Sequence, residues 1–157
     1  MNLTLNFVDG TPLGHEWVEK PFVDTEAFDR TWWVGQCAGP VAFASFVRDG
    51  DGEVARAQIK LRSRTGSAYP TWDRREGGVT EIDLIAVKDS LRGGGIGGQA
   101  LALLVAEYGA PIIALAKNEK AEGFWRKQHG WEEHLQEADE GAHPEAPKAM
   151  PLYVWNG

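Results

Sequence analysis

The chain has 157 residues, 43% of them hydrophobic and 25% charged, with a formal net charge of −7. That length suits one domain over 1–157, which would bury roughly 70% of its unfolded surface. The negative balance argues against a general nucleic-acid binder, whose affinity rests on lysine and arginine at phosphates, and it suits a cationic partner.

The predicted elements begin with a strand over residues 2–8, where apolar and polar side chains alternate, closed by Gly10, Pro12 and Gly14. His15 to Arg30 reads as two short helices broken at Pro21, with Thr25 as an N-cap of the second. Trp32 to Cys37 and Val41 to Val47 read as a β-hairpin around Ala-Gly-Pro, and Asp49-Gly-Asp-Gly as a second turn. Val54 to Arg62 alternates again, and Arg64 to Gly78 reads as a loop holding Tyr69 and Trp72. Val79 to Val87 carries the strongest strand signal.

A helix follows the glycines. Ile96, Ala100, Leu103, Leu104 and Tyr108 share one face of a 3.6-residue period, and Gly109 and Pro111 end it. Ile112 to Ala116 reads as a strand buried on both faces. Asn118 is placed to cap a further helix through Phe124 and Trp125, ended by Gly130. Two last strands run from Trp131 onward and over Leu152 to Trp155. The pattern is α+β, with one parallel β–α–β step near the end.

The segment Asp89-Ser-Leu-Arg-Gly-Gly-Gly-Ile-Gly-Gly-Gln-Ala-Leu101 carries the chemical signal. A glycine turn opening a helix lets backbone N–H groups converge on a phosphate, helped by the positive end of the helix dipole. Gly93, Gly95 and Gly98 match the dinucleotide pattern G-x-G-x-x-G, with Glu119 at a tolerable distance for a ribose contact. Two things count against that pattern. Lys88 to Arg92 separate strand from glycine, and too little chain follows Glu119 to complete two βαβαβ halves. No Gly-Lys-Ser/Thr phosphate loop occurs.

The same stretch reads Arg92-x-x-Gly95-x-Gly97, which resembles the acyl-CoA signature of the GNAT superfamily of N-acetyltransferases. The resemblance extends over Val79 to Trp131. It takes in Glu81-Ile-Asp-Leu-Ile-Ala-Val87 before the turn, then Ile112-Ile-Ala-Leu-Ala, Asn118, Ala121, Phe124-Trp125 and Gly130-Trp131 after it. It implies a mixed, mostly antiparallel twisted sheet of about six to seven strands with helices on both faces. It also implies transfer of an acetyl group from acetyl-CoA to a primary amine by direct attack in a ternary complex. The alternatives are a non-catalytic acyl-CoA-binding module and a dinucleotide-binding domain.

The resemblance also assigns residues. The backbone of Ile85, Ala86 and Val87 would hold the pantetheine arm and polarise the thioester. Arg92, Gly93, Gly94, Gly95, Ile96, Gly97 and Gly98 would hold the pyrophosphate, and Asn118 and Trp125 would lie near the arm. Lys117 and Lys127 are weaker candidates for the adenosine phosphate. Two acids on a central strand cost desolvation energy unless they meet water or a ligand. The resemblance implies Glu81, eleven residues before Arg92, as the first candidate for general base, with Asp83, expected on the same face with Ile85, as the second. Pairing with Arg56, Lys60 or Arg62 is the structural alternative. The tyrosine that protonates the leaving thiolate in this family has no counterpart, since Trp125 or Arg126 stands there; Tyr108, Tyr153, His129 and His134 remain as substitutes.

Acids beside aromatics in His15 to Trp33, and acids in Glu137 to Met150, suggest a cationic acceptor: a small amine, an aminoglycoside or a peptide amine. The lone Cys37 excludes an internal disulfide, and its position far from the signature argues against an acyl-enzyme. No basic leader, long apolar run or metal-ligand spacing appears, so a cytoplasmic protein without metal, membrane or nucleic-acid partner is expected. Family members are often dimers, which makes a homodimer a further expectation.

Overall fold

The computed structural model describes residues 2–23, 27–28, 30–69, 71–72, 78–135 and 150–157. Its main sheet has seven strands in the order β1-β5-β6-β7-β8-β10-β9. These are β1 Leu3–Val8, β5 Val41–Arg48, β6 Gly52–Ser63, β7 Val79–Val87, β8 Ile112–Leu115, β9 Trp131–His134 and β10 Leu152–Trp155. A smaller sheet holds β2 Thr11–Gly14, β3 Trp17–Glu19 and β4 Gln36–Ala38. The helices are α1 Arg30–Trp33, α2 Ile96–Tyr108 and α3 Glu119–Arg126. The mixed, mostly antiparallel sheet flanked by helices is the expected fold.

The first third differs from expectation. Where the first of the two helices predicted over His15 to Arg30 is expected, the chain makes the β2–β3 hairpin, turned through Gly14, His15 and Glu16 at positive φ. The segment is short and its apolar residues alternate as well as they space by four, so the tertiary setting decides. The predicted hairpin from Trp32 to Val47 is also absent. Trp32 and Trp33 belong to α1, and β4 pairs with β3 while β5 pairs with β1 and β6. Thr25 lies outside the described residues.

The β6 strand is buried continuously from Val54 to Ile59 because both of its faces are covered. Ala55, Ala57 and Ile59 join the core under α2 and α3, together with Ile96, Ala100, Leu104, Ile112, Trp125 and Tyr153. Arg56 and Gln58 point to the opposite face, where Phe22, Phe28, Trp33 and Phe43 form a second cluster. A third cluster packs Tyr69 and Trp72 from the loop onto Ile113, Leu152 and Val154. Helices therefore lie on both faces, α2 and α3 on one and α1 on the other.

One irregularity in β7 governs the site. Against β6, Leu84 pairs with Gln58, but the next pair is Ile82 with Ile59. Asp83 is thus an extra residue, a β-bulge that shifts the phase of the strand. Ile82, Ile85 and Val87 all reach the α2 side, while Leu84 and Ala86 reach the aromatic cluster. The expected shared face for Glu81, Asp83 and Ile85 is therefore corrected, because strict alternation stops at the bulge.

Candidate active site

Among the described residues β7 and β8 form the parallel pair of the sheet, and their pairing is brief: Thr80 with Ile112, Glu81 with Ile113, Ile82 with Ala114. β7 runs on to Val87 while β8 ends at Leu115. The two strands part at Asp83. The stretch Ile85-Ala86-Val87 follows that parting, and Lys88 to Arg92, with a short 3-10 turn at Asp89–Leu91, join it to the glycine turn.

The turn is built for something other than a self-contained helix start. Gly95 occupies the N-cap position of α2 with φ 83° and ψ 4°, a left-handed conformation that glycine adopts freely. No side chain caps the helix, and its first turn has no acidic residue. Its leading N–H groups are therefore left to an outside acceptor. A Cβ at Gly93 or Gly95 would meet nothing within 4 Å. Arg92 donates from Nε to the Val87 carbonyl at 3.4 Å and pairs with Asp89 at 2.7 Å, which ties the turn to the end of β7.

α3 shows the contrast. Asn118 Oδ1 accepts from the Ala121 N–H at 2.8 Å, Glu119 and Glu122 stand in the first turn, and Arg126 in the last. That helix is capped and its dipole complemented from within. Trp125 is 3% exposed and packs among Phe124, Trp131 and Tyr153. It belongs to the core cluster with Ile82, Ile96 and Ala114.

The two acids part company. Glu81 is 1% exposed and accepts from the Ser63 hydroxyl, which also takes the Thr65 N–H at 3.1 Å. Tyr69 lies close enough that the Glu81 charge helps raise its phenol, after burial. Asp83 accepts from Gln58 Nε2 at 2.8 Å and Lys117 Nζ at 2.9 Å, and Lys60 Nζ stands 3.7 Å away. Burial pushes the Asp83 carboxyl up, but Lys117, Lys60 and Gln58 together hold it below its ordinary value. The alternative of pairing with Lys60 thus applies to Asp83, whereas Arg56 pairs with Glu53 at 2.9 Å.

Several candidates are relocated. Lys117 donates to Asp83 instead of standing free for a phosphate. Tyr108 ends α2, about 18 Å from that helix's N-terminus at 1.5 Å per residue, and burial, then Glu107, raises its phenol. Tyr153 donates to Glu133 and is pushed up to about 12, first by burial and then by that carboxylate. His134 Nδ1 meets Thr71 Oγ1 at 2.7 Å. Phe22 and Phe28, read as cation-binding faces, already hold the Arg56 guanidinium at 4.7 and 4.3 Å. Trp17 and Trp32 remain exposed. Glu16 and Glu19 are exposed as well. Asp24, Glu26, Asp29, Glu137, Asp139, Glu140 and Glu145 lie outside the described residues.

Sequence distance hid three neighbours. Cys37 on β4 feels the charges of Lys20, Asp83 and Lys60, although it is burial that chiefly raises its thiol. A raised thiol is a poor nucleophile at neutral pH. Ser63 and Gln58, the direct partners of the two acids, carry no motif that could mark them. Among the described residues no group of three His, Cys, Asp or Glu is placed to hold a metal, and no helix is long and apolar enough to cross a membrane.

Solved structures share this architecture. The KacTA–DNA complex superposes with a TM-score of 0.52 at 15% identity, over 98% of this chain and 93% of that one. A GNAT-family acetyltransferase from Desulfovibrio desulfuricans gives 0.50 at 19% identity, over 74% and 68%. A histone acetyltransferase and related acetyltransferase from Corynebacterium glutamicum gives 0.47 at 18%, over 74% and 65%. The chain spans a little under two-thirds of the last protein's length. No curated protein matches it. The model of the acetyltransferase (GNAT) family matches residues 11–131. That span runs from β2 to the start of β9, and the chain belongs to the acetyltransferase (GNAT) family.

Proposed function

We propose that this chain is an acetyl-CoA-dependent N-acetyltransferase acting on a primary amine by direct attack in a ternary complex. One observation carries the reading: β7 parts from β8 at Asp83 and, at its free end, delivers the uncapped glycine start of α2. The residues fit the donor. Left-handed Gly93 and Gly95 leave open space over N–H groups that lack an internal partner, as a pyrophosphate requires. The parted edge at Ile85, Ala86 and Val87 suits an extended arm laid along it like an added strand.

When bound, acetyl-CoA supplies a thioester carbonyl carbon open to attack by a neutral amine. The residues do the rest. α2 fixes the diphosphate end, and the β7 backbone orients the arm. A carboxylate takes the proton that the amine must lose. Asp83, held low by two lysines, is a weak proton acceptor, which leaves that role to Glu81. Glu81 is closed off from solvent, so the proton reaches it through the Ser63 hydroxyl or a water. An amine that is cationic in solution is favoured by the net charge of −7 and by Glu16 and Glu19 beside exposed Trp17.

The test is a thermal-shift titration with acetyl-CoA, CoA and NAD, followed by CoA thiol release with a panel of amines. Ligand at about 100 times its dissociation constant adds about 2.7 kcal/mol, a rise on the order of 5–15 °C. Gly95→Glu, which places a carboxylate at the helix start, should abolish the rise. Protection without thiol release across the panel would make the chain a binding module. Protection by NAD above that by either CoA species would overturn the reading.

A further inference from the structure

Lys117 occupies the point where the two strands part. β8 ends at Leu115, the next N–H, of Ala116, donates to the Pro151 carbonyl at 3.1 Å, and Asn118 caps α3. Lys117 is therefore fixed on both flanks. Its ammonium donates to the Asp83 carbonyl and to Asp83 Oδ1, each at 2.9 Å. The last rung of the parallel ladder joins Ile82 to Ala114. One residue further, a side-chain ammonium takes the carbonyl that a strand N–H would otherwise claim.

This is more than a surface ion pair. An exposed pair contributes little because both side chains must be ordered in water. Here the Asp83 side chain is only 12% exposed, and one of the two acceptors is main chain. The other groups around Asp83 are Gln58 and Lys60 from β6 and the Cys37 thiol from β4, with Lys20 near that thiol. Among them Lys117 is the cation that also bridges the two strands.

We propose that Lys117 is a positioning residue of the donor slot: it ties the end of β8 to the bulge of β7, sets the width of the mouth between them, and keeps Asp83 an occupied anion. The inference rests on the reading that this slot takes acetyl-CoA. Without the ammonium, the Asp83 carbonyl and carboxylate lose their shared donor. The β7 edge is then free to close toward Leu115 or to open further.

Two readouts test it. Calorimetric titration with acetyl-CoA measures the slot, and ¹³C NMR of the Asp83 carboxyl measures the clamp. Lys117→Met should weaken acetyl-CoA binding about tenfold and raise the Asp83 titration by about one pH unit, as loss of a close opposite charge does. Lys117→Arg keeps the charge and should hold the Asp83 titration low while restoring part of the affinity. If Lys117→Met does not fold, Lys117→Gln carries the same expectation. A Lys117→Met or Lys117→Gln protein that binds acetyl-CoA like the wild type, or whose Asp83 titrates unchanged, overturns the proposal. If the wild type does not bind acetyl-CoA, the functional reading fails by itself, and the carboxyl titration still reports on the clamp.

Discussion

The ring of Phe124 on α3 rests against Gly97 in the first turn of α2, so closely that a Cβ there would stand 2.8 Å from Cε2. The two helices that frame the slot meet at this contact. Gly98, one residue on, has only ordinary contact with Gln128 Oε1 at 3.6 Å. Gly97→Ala gains helix propensity of at most about 1 kcal/mol but must displace the ring, at about 1–3 kcal/mol. Gly98→Ala keeps the gain without the clash. Urea unfolding should rank Gly98→Ala above the wild type and Gly97→Ala below it; the reverse order would mean that the helices do not approach this closely.

The pairing of Asp83 has a pH signature. Its carboxyl is held below its ordinary value, so the folded protein binds that proton less readily than the unfolded chain. The stability this adds is present above the ordinary value of about 4 and is lost as pH falls through the folded one. Asp83→Asn should therefore cost about 1–2 kcal/mol at neutral pH, the scale of hydrogen bonds to a charged group discounted for two half-exposed lysines. The gap from the wild type should close on acidification. A gap that stays constant with pH would show that the carboxylate is not stabilised by its cations.

Arg56 makes a different prediction, about the aromatic cluster on the other face of the sheet. It is 3% exposed, lies over the Phe22 and Phe28 rings, donates to the Val23 carbonyl at 3.2 Å and pairs with Glu53. It pins Phe22, Val23 and Phe28 onto the sheet. Arg56→Ala should cost about 2–5 kcal/mol because it empties a buried site over two rings and removes the bond to the Val23 carbonyl. Arg56→Lys should recover little, since an ammonium cannot lie flat on two rings and fork to two acceptors. Glu53→Gln should cost less, as Glu53 is partly exposed and Ser45 also donates to it. Chemical denaturation of the three variants settles the ranking.

These relationships also show what the sequence could and could not reveal. The strand–turn–helix around Arg92 to Gly98, the cap at Asn118 and the buried strand at Ile112 were legible because each follows from local chemistry. The β2–β3–β4 sheet was not, because its strands are three or four residues long and carry no periodicity that distinguishes them from one helical turn. The bulge at Asp83 was hidden for a related reason: the alternation of β7 looks regular until it is paired with β6. A residue's partner across a sheet is not written in its own segment. Hence Glu81 and Asp83 could be singled out as costly acids, whereas their partners Ser63, Gln58 and Lys117 could not be matched to them.

The tyrosines give the last prediction. Burial is the first cause that raises the phenols of Tyr69, Tyr108 and Tyr153, and a carboxylate adds to each: Glu81, Glu107 and Glu133 respectively. The chain has three tyrosines, so no unperturbed one remains to give a signal at the ordinary value of about 10. A raised folded value means that the folded protein holds these protons more tightly than the unfolded chain. The stability gained is present below about 10 and is lost as pH rises through the folded values, about 12 for Tyr153. Spectrophotometric titration should show tyrosinate absorbance appearing late and together with the loss of native circular dichroism. Tyr153→Phe should leave the protein less dependent on pH in that window, because the phenol that Glu133 holds is gone. Tyrosinate appearing near 10 in a protein that keeps its native spectrum would contradict the burial of these phenols and the carboxylate charges that add to it.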